Sequence, residues 1–213
     1  MNTCFLTSYF DNDFTYEFAM EFKKNSQINK TFVFIASSFN NFLKTDKYCN
    51  NILDLFRKIN IIFDNVKIID YRVNKEDAKA IILNSDVVWL AGGDTLMQMR
   101  YFNEYNLKAV LNNFKGIIIG MSAGSINMAD KVVLARDEEE NVTELSVYNG
   151  LGLVSINIEP HLDFDRKEHI VDIKEALKLA PIYGLYDNSF IVVRNNKIEI
   201  FGEYYIFEWL DNF

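Results

Sequence analysis

The sequence predicts an α/β protein: a single doubly wound domain, residues 1–213, with a mostly parallel central sheet and a C-terminal β-hairpin. Three observations carry that expectation. Short apolar runs rich in β-branched and aromatic residues alternate with longer amphipathic stretches up to Asp130, as strands covered on both faces and linked by helices do. The connections between them are short, as in sheets whose consecutive elements are neighbours. One apolar run, Gly116-Ile117-Ile118-Ile119-Gly120, passes through Met121-Ser122-Ala123-Gly124 into a helix-compatible segment, the strand–turn–helix context of a Gly-x-Ser-x-Gly serine.

Taken in order, residues 4–7 open the chain as a short strand. Residues 11–24 place Phe14, Phe18 and Phe22 four apart, on one face of a helix. Residues 31–36 form a continuous strand run, and residues 41–59 a long amphipathic helix. A third strand is expected over 66–71 and a helix over 74–83, with Glu76 and Asp77 suited to its N-terminal dipole. Residues 86–91 form a fourth strand running into Gly92-Gly93-Asp94-Thr95, followed by helices over 96–102 and 107–114. Beyond Asp130 short extended pieces are expected at 131–134, 145–148 and 153–158, then a helix over 166–180 ended by Pro181. Residues 182–187, 189–193 and 197–201 complete the chain, the last two as a hairpin turning at Asn195-Asn196.

With 213 residues, 49% of them hydrophobic, the chain can bury one sizeable core, which excludes disorder. A net charge of −8 argues against nucleic acid or an anionic membrane surface as the partner. Cys4 and Cys49 are too few and too far apart to suggest a disulfide framework or a zinc site. The N-terminus lacks the features of a signal peptide, and no apolar run approaches the ~20 residues of a membrane span. A cytoplasmic protein is expected.

Only two histidines exist. If Ser122 is a nucleophile its base is His161 or His169. His161 follows an extended stretch and Pro160, at a strand end where such sheets gather their sites. His169, beside Lys167 and Glu168 on a helix, reads as a solvated surface residue. The Gly92-Gly93 turn could present N–H groups to an anion, either a phosphate or the oxyanion of acyl transfer, with Gly93 and Ala123 N–H as donors. Asp94 or Thr95 could cap the helix that follows.

With Ala91-Gly92-Gly93-Asp94-Thr95, Gly120-Met121-Ser122-Ala123-Gly124 and Pro160-His161 in this order and spacing, the chain resembles the peptidase E (aspartyl dipeptidase) and cyanophycinase family of serine peptidases over residues 87–187. The resemblance implies a class I glutamine-amidotransferase-like fold and hydrolysis of a peptide bond near an acidic residue. It casts Ser122 as nucleophile, His161 as base, and Gly93 and Ala123 as oxyanion donors, with no metal and no organic cofactor. The third triad member falls on Asp187, in Gly184-Leu185-Tyr186-Asp187, or on Asp137, in an acidic run. A substrate with an N-terminal aspartate calls for a facing cation. Arg166 is the first candidate, Arg136 the second, and Asp94 a further substrate-binding residue. The run Asp137–Glu140 would repel an acidic substrate. A small peptide substrate and a monomer or homodimer are expected. Two rival readings remain: a non-catalytic phosphate- or nucleotide-binding module, and an α/β-hydrolase-type esterase with Asp137 as the acid.

Overall fold

The computed structural model describes residues 2–25, 31–139 and 142–208. Its central sheet contains the parallel strands β1 (Thr3–Thr7), β2 (Thr31–Ile35), β3 (Asn65–Ile69), β4 (Val87–Leu90) and β5 (Ile117–Met121). Between them run α1 (Tyr16–Asn25), α2 (Phe42–Lys58), α3 (Lys75–Leu83), α4 (Thr95–Glu104) and α5 (Leu107–Asn113), and the short α6 (Ala123–Ile126) follows β5. After these come β6 (Lys131–Leu134), β7 (Ser146–Asn149), β8 (Asn157–Glu159), α7 (Lys167–Leu177), β9 (Ile182–Leu185), β10 (Phe190–Arg194), β11 (Lys197–Phe201) and β12 (Tyr204–Phe207). The main sheet has seven strands in the order β11-β10-β1-β5-β4-β2-β3, with β10 and β11 antiparallel.

Alternation along these strands explains why both faces are covered. Cys4 and Leu6 of β1, Val88 and Leu90 of β4 and Ile118 of β5 join one core with Ala78 and Ile82 of α3, Phe102 of α4 and Val110 of α5. Their neighbours Phe5, Val87, Trp89, Ile117 and Ile119 point to the other core, with Phe18 and Phe22 of α1 and Ile52 and Phe56 of α2. That second core is largely aromatic. Phe14 and Phe18 rings lie 4.4 Å apart, and Phe22 and Phe56 rings 5.0 Å. Phe14 precedes α1 rather than opening it, because Thr15 Oγ1 accepts the Phe18 N–H at 3.2 Å and starts the helix there.

The expected hairpin is β10–β11. Arg194 pairs with Lys197 across Asn195 (φ 51°) and Asn196 (φ 62°), so both turn residues are left-handed, as a two-residue primed turn requires. The region after α6 departs most from expectation. β6 and β7 make a separate antiparallel ribbon, and of the expected 153–158 strand only residues 157 and 158 fall within a sheet strand, β8, which runs on to Glu159. Residues 153 and 154 instead direct their N–H groups to the Met128 carbonyl. β8 pairs in parallel with β9, and the unanticipated β12 completes that three-stranded sheet. α7 covers it through Ile170, Ile173 and Leu177. Among the described residues no helix is long and apolar enough to cross a membrane.

Candidate active site

The carboxyl ends of β1, β4 and β5 lie side by side in the main sheet, and Ser122 leaves β5 there. Its backbone adopts φ 49°, ψ −114°, a conformation costing a non-glycine residue about 1–3 kcal/mol. The flanking glycines make the turn possible. A Cβ on Gly120 would stand 2.6 Å from both Gly124 C and Ser125 N, and one on Gly124 would collide with the Leu90 carbonyl. Glycine is needed because strand and helix backbones approach within a methyl group's width. The Ser122 N–H donates to the carbonyls of Thr7 (3.0 Å) and Ser8 (3.1 Å), which ties the turn to β1. Ala123 begins α6, where first-turn N–H groups lack helical acceptors.

Beyond β4, Gly92 lies against the same turn: a Cβ on it would be 3.5 Å from Ser122 Cβ. Gly93 has φ +138°, and a Cβ there would meet Ser37 Oγ at 2.5 Å. Asp94 caps α4, its Oδ1 accepting the Met97 N–H at 2.8 Å.

His161 follows β8 with φ 55°, and its Nδ1 lies 2.8 Å from Asp187 Oδ1, two residues after β9. An imidazole nitrogen facing a carboxylate carries its proton there, which leaves Nε2 as the acceptor. Partial burial pushes the Asp187 carboxyl up. The hydrogen bonds from His161 and Ser8 and the charge of His161 outweigh it and hold the group below the ordinary carboxylate value. Ser8 Oγ donates to Asp187 Oδ1 at 2.8 Å and accepts the His161 backbone N–H at 2.8 Å. The Tyr9 ring sits 6.1 Å from the imidazole.

Ser122 and His161 line one cavity of about 380 Å³, with Gly92, Gly93 and Asp94 also in its wall. Phe34, Ile52 and Met121 give it apolar surface, and Lys44 and Tyr48 lie on the α2 side.

The other expected residues gather in a second cluster. Asp137 is buried, with Oδ1 2.5 Å from Arg166 Nη2 and Oδ2 3.6 Å from His169 Nε2. Arg166 also holds Glu139 at 3.2 Å, and Arg136 pairs with Glu138. Glu140 lies outside the described residues. Thus the structure brings Asp187 to His161 and Arg166 to Asp137; Arg166 is not among the residues lining the cavity, whereas Asp137 shares a narrow pocket with Gly93, Ser122 and His161. His169 is not a solvated residue: it is 5% exposed on the inner face of α7. The spacing 169, 173, 176, 177 carried that signal, since Ile173, Ala176 and Leu177 are buried with it.

His169 Nδ1 donates to the Arg136 carbonyl at 3.0 Å, and Nε2 lies 3.2 Å from Glu159 Oε1. Burial lowers its imidazole value, but Glu159, Asp137 and the Arg136 carbonyl together raise it above the ordinary one. Burial raises the Glu159 carboxyl against the pull of His169. Asp137, Glu159 and His169 each offer a ligand atom within 4.8 Å of one another. The Arg166 guanidinium already supplies a cation to Asp137, so the group is satisfied as an ion-pair network.

Ser8, Tyr9 and Glu159 escaped the sequence reading. Glu159 precedes Pro160-His161 and could have been noticed as an acid in an apolar strand. Ser8 is a lone serine after a strand, with no local signal.

Residues 10–201 match the family model described as peptidase family S51. No curated protein matches the chain significantly. A crystal structure of a protein provisionally described as peptidase E from Listeria monocytogenes EGD-e has a TM-score of 0.66 at 17% identity, covering 94% of this chain and 98% of its own. That of a peptidase from an acI-B1 Actinobacterium gives 0.72 at 15% identity, covering 99% and 92%. The two structures establish the shared fold; the family match, spanning the Gly-Gly turn, Ser122, His161 and Asp187, establishes membership. This chain belongs to peptidase family S51, a family of serine peptidases.

Proposed function

We propose that this serine peptidase hydrolyses a short peptide through an acyl-enzyme on Ser122. The observation that carries the reading is the 2.8 Å pairing of His161 Nδ1 with Asp187, beside a cavity that Ser122 shares. His161 Nε2 takes the Ser122 proton as Oγ attacks the scissile carbonyl. Asp187 holds the imidazole through Nδ1–H and stabilises the imidazolium. The N–H groups of Gly93 and Ala123 receive the oxyanion. His161 then protonates the leaving amine, and water reverses the sequence to free the acid.

Asp187 is preferred over Asp137 as the acid because Asp137 is bonded to Arg166 and lies near His169. The chain order Ser122, His161, Asp187 also argues against an α/β-hydrolase esterase, where the acid precedes the histidine. The cavity suits a small peptide. Among the described residues that line it, Lys44 is the one Lys or Arg, and it is better placed than Arg166 to meet a substrate carboxylate. Asp94 caps α4 through Oδ1 and lines the cavity, which supports its role as a substrate-binding residue.

Hydrolysis of a dipeptide library that includes Asp-Xaa members tests this. Ser122→Ala is expected to reduce turnover by at least ~10³-fold while the far-ultraviolet spectrum stays unchanged. Turnover near that of the unmodified protein would remove Ser122 from the reaction.

A further inference from the structure

Ser8, the residue after β1, is fully buried and is in contact with all three groups of the reaction proposed above. Its carbonyl accepts the Ser122 N–H at 3.1 Å. Its hydroxyl accepts the His161 N–H at 2.8 Å and donates to Asp187 Oδ1 at 2.8 Å, the same oxygen that faces His161 Nδ1. One hydroxyl therefore serves as both acceptor and donor, each toward a different partner of the ion pair.

Both partners need such a tie. His161 sits at φ 55°, a left-handed conformation uncommon for residues other than glycine, which its surroundings help to hold. The bond from its N–H to Ser8 Oγ is one such constraint. The Asp187 side chain is 41% exposed, so water competes for its oxygens and only its hydrogen bonds restrain rotation of the carboxylate. A second donor on the same Oδ1 fixes that oxygen toward His161. Alanine at position 8 would leave the His161 N–H without its acceptor and Asp187 with one donor fewer.

We propose that Ser8 is a positioning residue for the reaction, its hydroxyl holding the His161–Asp187 pair in the orientation from which His161 serves Ser122. The proposal rests on the reading of Ser122 and His161 given above. Ser8 touches no substrate and exchanges no proton with it. Its effect is on the rate of acylation and not on binding.

The test uses the full chain with Ser8→Ala, Ser8→Thr and Ser8→Cys. Readouts are the second-order rate of Ser122 labelling by a fluorophosphonate, kcat and KM for a cleaved dipeptide, and the downfield proton resonance of His161 Nδ1–H. For Ser8→Ala, labelling and kcat are expected to fall about 30–100-fold with KM within about twofold, the penalty of a misaligned catalytic group. The Nδ1–H resonance should broaden or shift. Ser8→Thr, which keeps the hydroxyl, should recover most of the rate. Should Ser8→Ala fail to fold, Ser8→Cys keeps the shape with a weaker hydrogen-bonding group and is expected to lose about tenfold. An Ala or Cys variant that folds and labels as fast as the wild type overturns the role of Ser8 and leaves the serine mechanism intact. A wild-type protein that is not labelled at Ser122 overturns both.

Discussion

Gly120→Ala adds one methyl group at the point where β5 and α6 approach most closely. The new Cβ would lie 2.6 Å from Gly124 C, 2.6 Å from Ser125 N and 2.7 Å from Gly124 O, all backbone atoms. Carbon contacts relax at about 3.5–4.0 Å, so the start of α6 must retreat by about 1 Å. No side chain can rotate to absorb this, since every atom met belongs to the main chain. Overpacking of this kind costs about 2–4 kcal/mol. For a chain this size that is a melting-point fall of roughly 4–16 °C. The same shift moves Ser122, two residues on, and a 1 Å misplacement of a reacting group costs about 100-fold in rate. Gly92→Ala is the control: its Cβ meets nothing closer than 3.3 Å, and a fall of less than about 1 kcal/mol is expected. Thermal unfolding followed by circular dichroism and turnover of a cleaved dipeptide measure both effects. A Gly120→Ala protein as stable as Gly92→Ala and as active as the unmodified protein would refute the claim that backbone proximity holds the Ser122 turn.

The two candidate acids should separate by phenotype. Asp187→Asn is expected to lower kcat by about 10²–10⁴-fold with little change in melting point, because it removes the acceptor that fixes the His161 tautomer. Asp137→Asn should instead cost about 3 kcal/mol by removing the buried charge that pairs with Arg166 and lies near His169, visible in urea unfolding. Arg166→Ala should lower the unfolding midpoint yet leave the ratio of kcat/KM for Asp-Xaa over Ala-Xaa dipeptides unchanged, since its guanidinium is bonded to Asp137 and Glu139. The pH dependence of stability has a definite sign. His169 is raised above its ordinary value, despite burial, by Glu159, Asp137 and the Arg136 carbonyl. Its contribution is therefore full below the unfolded imidazole value of ~6.5 and is lost as pH rises through the folded value. Burial raises Glu159 also, which acts in the same direction. Asp187, lowered, contributes above the unfolded carboxylate value and is lost only as pH falls through its folded one, outside that window. Urea midpoints should thus decline from pH 6 to 9, and His169→Gln should flatten the decline; a midpoint that rises over that range would contradict the network.

Where local periodicity dominates, the fold could be read directly. The wholly apolar runs at β2, β4 and β5 became strands buried on both faces, and Asn195-Asn196 became the hairpin turn because asparagine tolerates positive φ. Gly120 and Gly124 announced the close approach around Ser122 by themselves. What stayed hidden depends on pairing between distant segments. β8, β9 and β12 are short, and nothing local says that 157–159 lies beside 182–185 rather than in the main sheet. His169 was misread because its neighbours Lys167 and Glu168 are charged, while the helical face it shares with Ile173 and Leu177 decides its burial. Ser8 was invisible for the same reason as Asp137's partners. Its role exists only once β1, β8 and β9 bring residues 8, 161 and 187 together.

Reaction of the intact protein with a fluorophosphonate, followed by mass spectrometry of its peptides, tests serine acyl-transfer chemistry most directly. One adduct is expected, on the peptide carrying Ser122, formed in the native protein and absent after urea unfolding or in Ser122→Ala. No adduct, or an adduct on another residue that persists in Ser122→Ala, would contradict the assignment of Ser122 as nucleophile.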